Sequence, residues 1–362
     1  MKSQFKLSIL LFVLPMLALA TNPKFKGKYT KTKTLNKEYT VNSEANVEID
    51  NSYGNIDIVT WSENRVVIEV VITTNGNDEE KVQKKLDNID VDFSGTASKV
   101  IAKTIFKDRK NSSWSWWGNK KNNVKMEINY TIKMPVTNSV DLSNDYGAIS
   151  LNKLEGVANI SCDYGQINIG ELMADRNQLN FDYTKNSTIG YMKSGAINAD
   201  YSGFVVEKAE GLELRTDYTN AEIEQIGNLD YNSDYGKMKV GTVTNVLGRG
   251  DYIPLRINTL NGNLDVNTDY GSVTVERISS SAGNIDIRSD YAGIKLGYES
   301  GYNFDFNIEL SYASFNEGDS LEITTSNKSH TRKSYRGYHG SKGSGNYVNI
   351  ESDYGGVTLK EY

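Results

Sequence analysis

The stretch DYGAISLNKLEGVANISCDYGQINIG, from Asp145 to Gly170, contains one pattern twice. Each copy has Asp-Tyr-Gly, one further residue, and then two apolar residues separated by one polar residue. Apolar and polar residues that alternate with a period of two are typical of a β-strand with one buried face. The stretch therefore predicts a repeating unit of short strands that turns a corner at each Asp-Tyr pair.

The same unit recurs through the C-terminal two-thirds of the chain. Its tyrosines are Tyr146, Tyr164, Tyr183, Tyr201, Tyr218, Tyr235, Tyr252, Tyr270, Tyr291, Tyr312 and Tyr354. Their intervals are 18, 19, 18, 17, 17, 17, 18, 21, 21 and 42 residues. A period near 18 is too short for helical repeats and fits stacked coils of β-strand. We therefore expect an all-β fold, a single-stranded β-helix (solenoid), whose handedness the pattern leaves open.

Apolar residues at fixed distances from each tyrosine predict the core. They lie three and five residues after the tyrosine, as Ile149 and Leu151 do, and stacking would align them in ladders. Further inward positions are predicted four residues before and eight after it, and Leu247 and Tyr191 are assigned to these sets. Cys162 is the single cysteine, so no internal disulfide forms, and it is interpreted as a small core residue.

The tyrosines are expected to form a stacked column of buried rings. A ring that fills such a position contributes a large buried area. The glycine after the tyrosine, as at Gly147, indicates a corner where a small residue with positive φ is useful.

An aspartate precedes the tyrosine in every copy except that of Tyr312, where Ser311 takes its place. Two interpretations remain open: a calcium-binding ladder, or carboxylates that accept backbone N–H bonds at their corner in Asx-type turns. The second is favoured, because one carboxylate per coil supplies fewer ligands than the six to eight that calcium takes. No other cofactor is expected.

The N-terminal third begins with a predicted signal peptide, residues 1–20, with Lys2, Lys6 and an apolar run before Ala18-Leu19-Ala20. No later segment is long and apolar enough to span a membrane, so we expect an exported protein of the periplasm, outer membrane or cell surface. Residues 21–40 form a basic leader. Residues 41–135 are interpreted as a first coil at SYGNIDIVTW plus a β-rich capping insertion, with a short helix near residues 78–89.

Two irregular segments are candidate contact regions. The stretch FKDRKNSSWSWWGNKKNNVK carries Trp114, Trp116 and Trp117 with Lys120 and Lys121. Exposed aromatic residues beside cations suit sugar rings, acidic glycans or a membrane interface, whereas a hairpin that buries the tryptophans over the capping end is the alternative.

The second irregular segment accounts for the 42-residue interval and is interpreted as a mobile loop excursion at residues 324–347 of the solenoid, residues 136–362. Its Ser, Gly and Lys content favours a loop, with anion capture as the alternative. Its two histidines, His330 and His339, do not have the spacing of a metal site.

Charge and motifs restrict the function. Residues 141–362 hold 19 basic and 31 acidic residues, which argues against nucleic acid as a partner. The chain lacks a phosphate loop, a nucleophile motif and metal-ligand spacing. Catalysis is therefore not expected, although two carboxylates of neighbouring coils could approach the separation of a glycosidase pair.

The runs VEIDNSYGNIDIVTWSENRVVIEVVI and YTIKMPVTNSVDLSNDYGAISLNKLEG, with the later Asp-Tyr-Gly copies, resemble the secreted adhesin-like proteins of Bacteroidota, a family of unknown function related to the head-GIN type. The resemblance covers most of the mature chain. It implies a β-helix in the cell envelope and provides no catalytic residues.

The expected function is non-catalytic binding or adhesion to a glycan or an envelope protein, through the irregular loops. A polysaccharide-cleaving β-helix enzyme and a purely structural envelope protein are the alternatives. The oligomeric state stays open.

Overall fold

The computed structural model describes residues 25–107 and 124–362. The predicted signal peptide and the whole tryptophan cluster, with Lys120 and Lys121, lie outside the described residues. The described part contains 27 strands and one helix, which confirms the all-β class.

The N-terminal part supports the first repeat with further strands. Its elements are β1 (Tyr29–Thr40), β2 (Asn46–Ser52), β3 (Ile56–Trp61), β4 (Arg65–Gly76), α1 (Glu79–Asn88), β5 (Ile89–Gly95), β6 (Lys99–Phe106) and β7 (Lys125–Pro135). Asp78 is the N-cap of α1, and its side chain accepts a hydrogen bond from the Lys81 amide. Strands β6 and β7 pair in parallel with β2 and β3, and β4 joins β7 and β1 in antiparallel fashion.

The central part consists of repeats, each with a strand that ends at the aspartate, a corner at the tyrosine and a second strand. The strands are β8 (Ser139–Asp145), β9 (Ala148–Leu154), β10 (Ala158–Asp163), β11 (Gln166–Leu172), β12 (Asn177–Asp182), β13 (Ser187–Asp200), β14 (Gly203–Asp217), β15 (Asn220–Asp234), β16 (Lys237–Asp251), β17 (Pro254–Leu260), β18 (Leu264–Asp269), β19 (Ser272–Ile278), β20 (Ile285–Asp290) and β21 (Gly293–Tyr298). Below, each repeat is named by its tyrosine.

Equivalent positions of successive repeats pair in parallel. The strands before the tyrosine form one stack, in which β2, β8, β10 and β12 follow each other, and the strands after it form a second, with β3, β9 and β11. In β13 to β16 a single long strand contributes to both stacks. The register places aspartate beside aspartate and apolar residue beside apolar residue, as the spacing predicts.

The apolar rows of the two stacks form the core. Ile149, Leu151 and Cys162 are buried, as predicted. Burial raises the pKa of the Cys162 thiol to about 12, so the thiolate is suppressed at neutral pH.

Two residues assigned to the core are outside it. Leu247 is 47% exposed, because the position four before Tyr252 belongs to Gly248, where a Cβ would collide with the buried ring of Tyr231. Tyr191 reaches the surface and donates to Glu210, while Met192 is buried in its place. The Tyr183 corner contains one more residue than its neighbours, which shifts the following strand by one position and so turns Tyr191 outward.

The C-terminal elements do not stack in chain order. They are β22 (Phe304–Ser311), β23 (Phe315–Glu317), β24 (Leu321–Lys328), β25 (Arg332–His339), β26 (Tyr347–Asp353) and β27 (Val357–Glu361). Strand β26 pairs in parallel with both β20 and β22, and β27 pairs with both β21 and β23. The Tyr354 repeat therefore lies between the Tyr291 and Tyr312 repeats.

The segment at residues 324–347, expected to be a loop, instead contains most of a hairpin. Strands β24 and β25 pair in antiparallel fashion, and β25 also pairs with β22. His339 is buried and its Nδ1 lies 2.6 Å from the Tyr302 carbonyl oxygen, whereas His330 is exposed. The interval of 42 residues thus reflects a hairpin on the outermost repeat and the return of the chain to the position beneath it.

Candidate functional site: the tyrosine column

The tyrosines of all repeats stack into one continuous column. Eleven successive ring pairs among the described residues have centroid distances of 4.7–5.3 Å and interplanar angles of 0–10°. In spatial order the members of this tyrosine column are Tyr53, Tyr146, Tyr164, Tyr183, Tyr201, Tyr218, Tyr235, Tyr252, Tyr270, Tyr291, Tyr354 and Tyr312.

The backbone of the corner fixes the direction of each ring. Every tyrosine of the column has a φ between 51° and 65°, a left-handed conformation that is unfavourable for a bulky residue. The expected positive φ thus lies on the tyrosine and not on the glycine that follows it. At Gly147 a Cβ would instead collide with the carbonyl oxygen of Gly54 in the adjacent repeat, so close approach of the backbones requires glycine there.

Hydrogen bonds between repeats hold this strained corner. The tyrosine amide donates to the aspartate carbonyl oxygen of the adjacent repeat, for example from Tyr201 to Asp217 at 3.0 Å and from Tyr218 to Asp234 at 2.9 Å. Such bonds recur along the column and compensate for a backbone strain of about 1–2 kcal/mol per residue.

The rings lie on the outside of the molecule, contrary to the expectation of a buried column. Eleven of them are 44–62% exposed among the described residues, and only Tyr53 is more covered. The left-handed corner turns the side chain away from the core, while the next residue, such as Thr219, points inward and is buried. Ring faces cover each other, so the column presents ring edges and hydroxyl groups to solvent.

A row of carboxylates follows one side of the column. Where the contact forms, an aspartate Oδ1 accepts the amide of the equivalent aspartate in the next repeat, at 2.7–3.3 Å. These bonds cross from repeat to repeat, so the predicted Asx-type turn within one corner is wrong for these aspartates. The pKa values of Asp145, Asp182 and Asp290 are raised, by desolvation first and then by the neighbouring aspartates.

The calcium ladder gains no structural support. In residues 25–107 and 124–362 no cluster of three or more His, Cys, Asp or Glu side chains is arranged to hold a metal ion. Backbone amides already engage one oxygen of several column aspartates.

A shallow groove of about 640 Å³ lies on the other side of the column. Tyr201 and Tyr218 line one wall. Gly203 and Asn220, the first residues of β14 and β15, line the groove as well, and lysines lie at both ends. The sequence signal for this groove is the additional residue in the Tyr183 corner, which pattern analysis passed over.

A second concavity, of about 860 Å³, lies where the β24–β25 hairpin folds beside β20, β26 and β22. Arg288, Lys328 and Arg332 line it together with Asp290 and Glu351, so neither sign of charge dominates. The described part of the chain has no helix of the length and hydropathy needed to cross a membrane.

Neither a family model nor a curated protein matches this chain. Solved structures resemble it at low similarity. A candidate cell-adhesion protein of Clostridium sporogenes is 12% identical with a TM-score of 0.19, covering 92% of this chain and 100% of its own. A candidate adhesin of Parabacteroides distasonis is 12% identical with a TM-score of 0.39, covering 73% and 97%. A candidate lipid-binding protein of the same species is 12% identical with a TM-score of 0.36, covering 72% and 96%. Similarity at this level assigns neither a family nor an activity.

Proposed function

We propose that this chain is a non-catalytic binding protein of the cell envelope or surface, built as a β-solenoid that presents the tyrosine column to a glycan or envelope protein. The observation that carries the proposal is the exposure of eleven adjacent tyrosine rings among the described residues. Single exposed aromatic side chains are ordinary, but a contiguous row along a whole molecule is typical of an interaction surface.

Tyrosine suits such a surface chemically. Its ring edge is apolar and its hydroxyl both donates and accepts, so the column can contact the C–H groups and the hydroxyls of a sugar chain together. Stacking restricts each ring, which lowers the entropy that a ligand must remove on binding. A rigid row of amphipathic groups therefore favours an extended ligand over a compact one.

The solenoid path is supported by the parallel register of equivalent residues, such as Ile160 beside Leu142 and Leu179. Export is supported by the predicted signal peptide at residues 1–20. The resemblance to adhesin-like proteins agrees with both parts of the proposal.

To test this proposal, the mature protein, residues 21–362, is incubated with envelope and host polysaccharides and with envelope extracts. Retained protein and newly released sugar ends are scored in the same samples. We expect retention without release. A variant with Tyr201→Asn, Tyr218→Asn and Tyr235→Asn should lose retention, because asparagine tolerates the left-handed corner and removes the ring. The matched Tyr→Phe variant keeps the stack and separates hydroxyl from ring contributions.

Two outcomes contradict the proposal. Release of sugar ends would favour the glycan-cleaving enzyme, and full retention by the folded triple Asn variant would remove the column from the binding surface.

The tryptophan cluster is a second proposed contact region, supported by its composition. Replacing Trp114, Trp116 and Trp117 by serine should reduce retention without a change in melting temperature. A large loss of stability would instead indicate that the tryptophans cover the capping end.

A further inference from the structure

The groove beside Tyr201 and Tyr218 differs from the rest of the column because of one irregular corner. In the Tyr183 repeat both Tyr183 and Asn186 have a positive φ, of 54° and 59°, and the next strand starts at Ser187. The additional residue leaves Lys185 and Asn186 exposed at the corner. This corner forms one end of the groove.

The two repeats between the ends contain small residues. Gly203 pairs with Asn220, and an added Cβ at Gly203 would meet no atom nearer than the Asn220 carbonyl oxygen at 4.0 Å. Space is therefore open above the backbone at this position. Val205 and Glu222 also line the groove, further along the same two strands from the rings.

Lysines stand at both ends of the groove. Lys185 lies at one end, in the Tyr183 repeat, and Lys237 and Lys239 lie at the other, three repeats further along the column. Lys239 pairs with Glu222, whereas Lys185 and Lys237 have no ion-pair partner among the described residues. The groove is therefore locally basic in a part of the chain whose overall charge is acidic.

We propose that this lysine groove, defined by Lys185, Tyr201, Gly203, Tyr218 and Lys237, binds a short segment of an acidic polysaccharide, with uronate carboxylates at the two lysine ends. The proposal rests on the proposed function and names its ligand class. The lysines attract carboxylates, the tyrosine edges contact pyranose C–H groups, and the phenol and Asn220 side chains bond sugar hydroxyls.

The arrangement favours a sugar of moderate charge over a dense polyanion. The aspartate row on the other side of the tyrosines repels nucleic acid and highly charged surfaces, while separated carboxylates can be placed at the two ends. The two ends are three repeats apart, with successive rings 4.8–5.0 Å from each other, which fits carboxylates on different sugar units of one chain.

The first test fills the groove without disturbing the fold. In Gly203→Gln the new side chain occupies the floor. Gly293→Gln is the matched control, since Gly293 occupies the equivalent position of the Tyr291 repeat and an added Cβ would meet nothing within 4 Å. The probe is an oligomer of galacturonic acid, measured by calorimetry on the full mature chain. We expect Gly203→Gln to weaken binding about tenfold, because the new side chain would displace about one charge-assisted contact of the sugar. We expect Gly293→Gln to leave binding unchanged.

The second test removes the charges. Lys185→Gln with Lys237→Gln should reduce the salt dependence of binding, whereas Lys295→Gln, in the outward row that also contains Lys239, should leave it unchanged. The methyl-esterified oligomer, which has the same sugars without charge, should bind the wild-type chain about tenfold more weakly.

The outcomes distinguish the two proposals. Equal binding of the charged and esterified oligomers, or equal effects of Gly203→Gln and Gly293→Gln, would overturn the lysine groove while the binding function stands. Retention of the wild-type chain on anionic vesicles but not on uronate oligomers would also overturn it. Absence of retention on every polysaccharide and extract would instead contradict the proposed function itself.

Discussion

The ring of Tyr354 stacks on the ring of Tyr291 at 4.7 Å and 2°, although the Tyr312 repeat lies between them in the sequence. The last repeat of the chain therefore inserts beneath the repeat that precedes it. In the folded chain β26 separates β22 from β20, and β27 separates β23 from β21. We expect this insertion to be a late step of folding, because it requires contacts between segments that are distant in sequence.

The inserted position can be tested by a crosslink. The hydroxyls of Ser289 and Ser352 lie 3.2 Å apart in the core, on neighbouring parallel strands. A variant with Ser289→Cys and Ser352→Cys should form a disulfide on mild oxidation, measured as loss of two titratable thiols under denaturing conditions. Cys162 serves as the internal count. If the repeats stacked in chain order, Ser289 would face Leu310 and no bond would form.

Tyr235 tests the cost of the left-handed corner. Its φ is 52°, and its ring stacks between Tyr218 and Tyr252 at 4.8 Å. Tyr235→Ala removes both stacking contacts and keeps the strain, whereas Tyr235→Gly also relieves the strain. We expect the glycine variant to be more stable than the alanine variant by about 1 kcal/mol in urea unfolding. Equal stabilities would show that the corner relaxes when the ring is lost.

Tyr231 places an unsatisfied hydroxyl group in the core, which lowers the stability of the folded state and is not visible in the sequence. Its ring is buried in the core against Gly248, and its hydroxyl has no hydrogen-bond partner among the described residues. Tyr231→Phe should raise the free energy of unfolding by about 1 kcal/mol, because an unsatisfied buried hydroxyl is removed and the ring is kept. Tyr130→Phe is the contrast, since the Tyr130 hydroxyl lies 2.8 Å from the Thr104 hydroxyl and its loss should destabilise the protein. Thermal unfolding of both variants checks the opposite signs.

The aspartate row should make stability depend on pH. Burial and the neighbouring Asp163 and Asp200 raise the pKa of Asp182 above its ordinary value of 3.8. A raised pKa means that the folded state holds the proton more tightly than the unfolded state. The contribution to stability is therefore full below pH 3.8 and is lost as the pH rises through the folded pKa.

Asp182→Asn should stabilise the protein at pH 7 by about 0.5 kcal/mol, the size of a like-charge cross-strand repulsion, and have little effect at pH 3.5. Asparagine keeps the Oδ1 that accepts the Asp200 amide. Melting temperatures at the two pH values measure the difference. Destabilisation at both would show that the carboxylate contributes more as a hydrogen-bond acceptor than it loses by repulsion.

Much of the repeat could be read from local patterns. The alternation at Ile149 and Leu151 predicted buried rows, and the run that begins at Asp78 predicted the helix, because in each case the signal lies within a few residues of the element. The stacked column followed from the interval between tyrosines. The Leu247 assignment was wrong because Gly248, and not Leu247, lies four residues before Tyr252, and a glycine at an inward position carries no apolar signal.

The candidate site was less accessible to sequence reasoning. The outward direction of Tyr201 depends on its left-handed φ, and the lysine groove depends on one additional residue near Lys185. The φ of Tyr201 leaves no mark in hydrophobic periodicity, whereas the additional residue shifts the apolar alternation after Tyr183 by one position. The composition of the tryptophan cluster predicts a contact region. The cluster lies outside the described residues, so its role stays a prediction.

The repeating unit could be derived from the amino-acid sequence: its length follows from the interval between tyrosines, and its inward residues and all-β class follow from the alternation within single strands. Tertiary structure alone decided the order of the last repeats and the exposure of the tyrosine column. The reason is physical. Repeats with similar edges can pair with any other repeat, so a local pattern specifies that they stack but not in which order. The position of the Tyr354 repeat between the Tyr291 and Tyr312 repeats depends on how the hairpin, the linking segment and the core pack together.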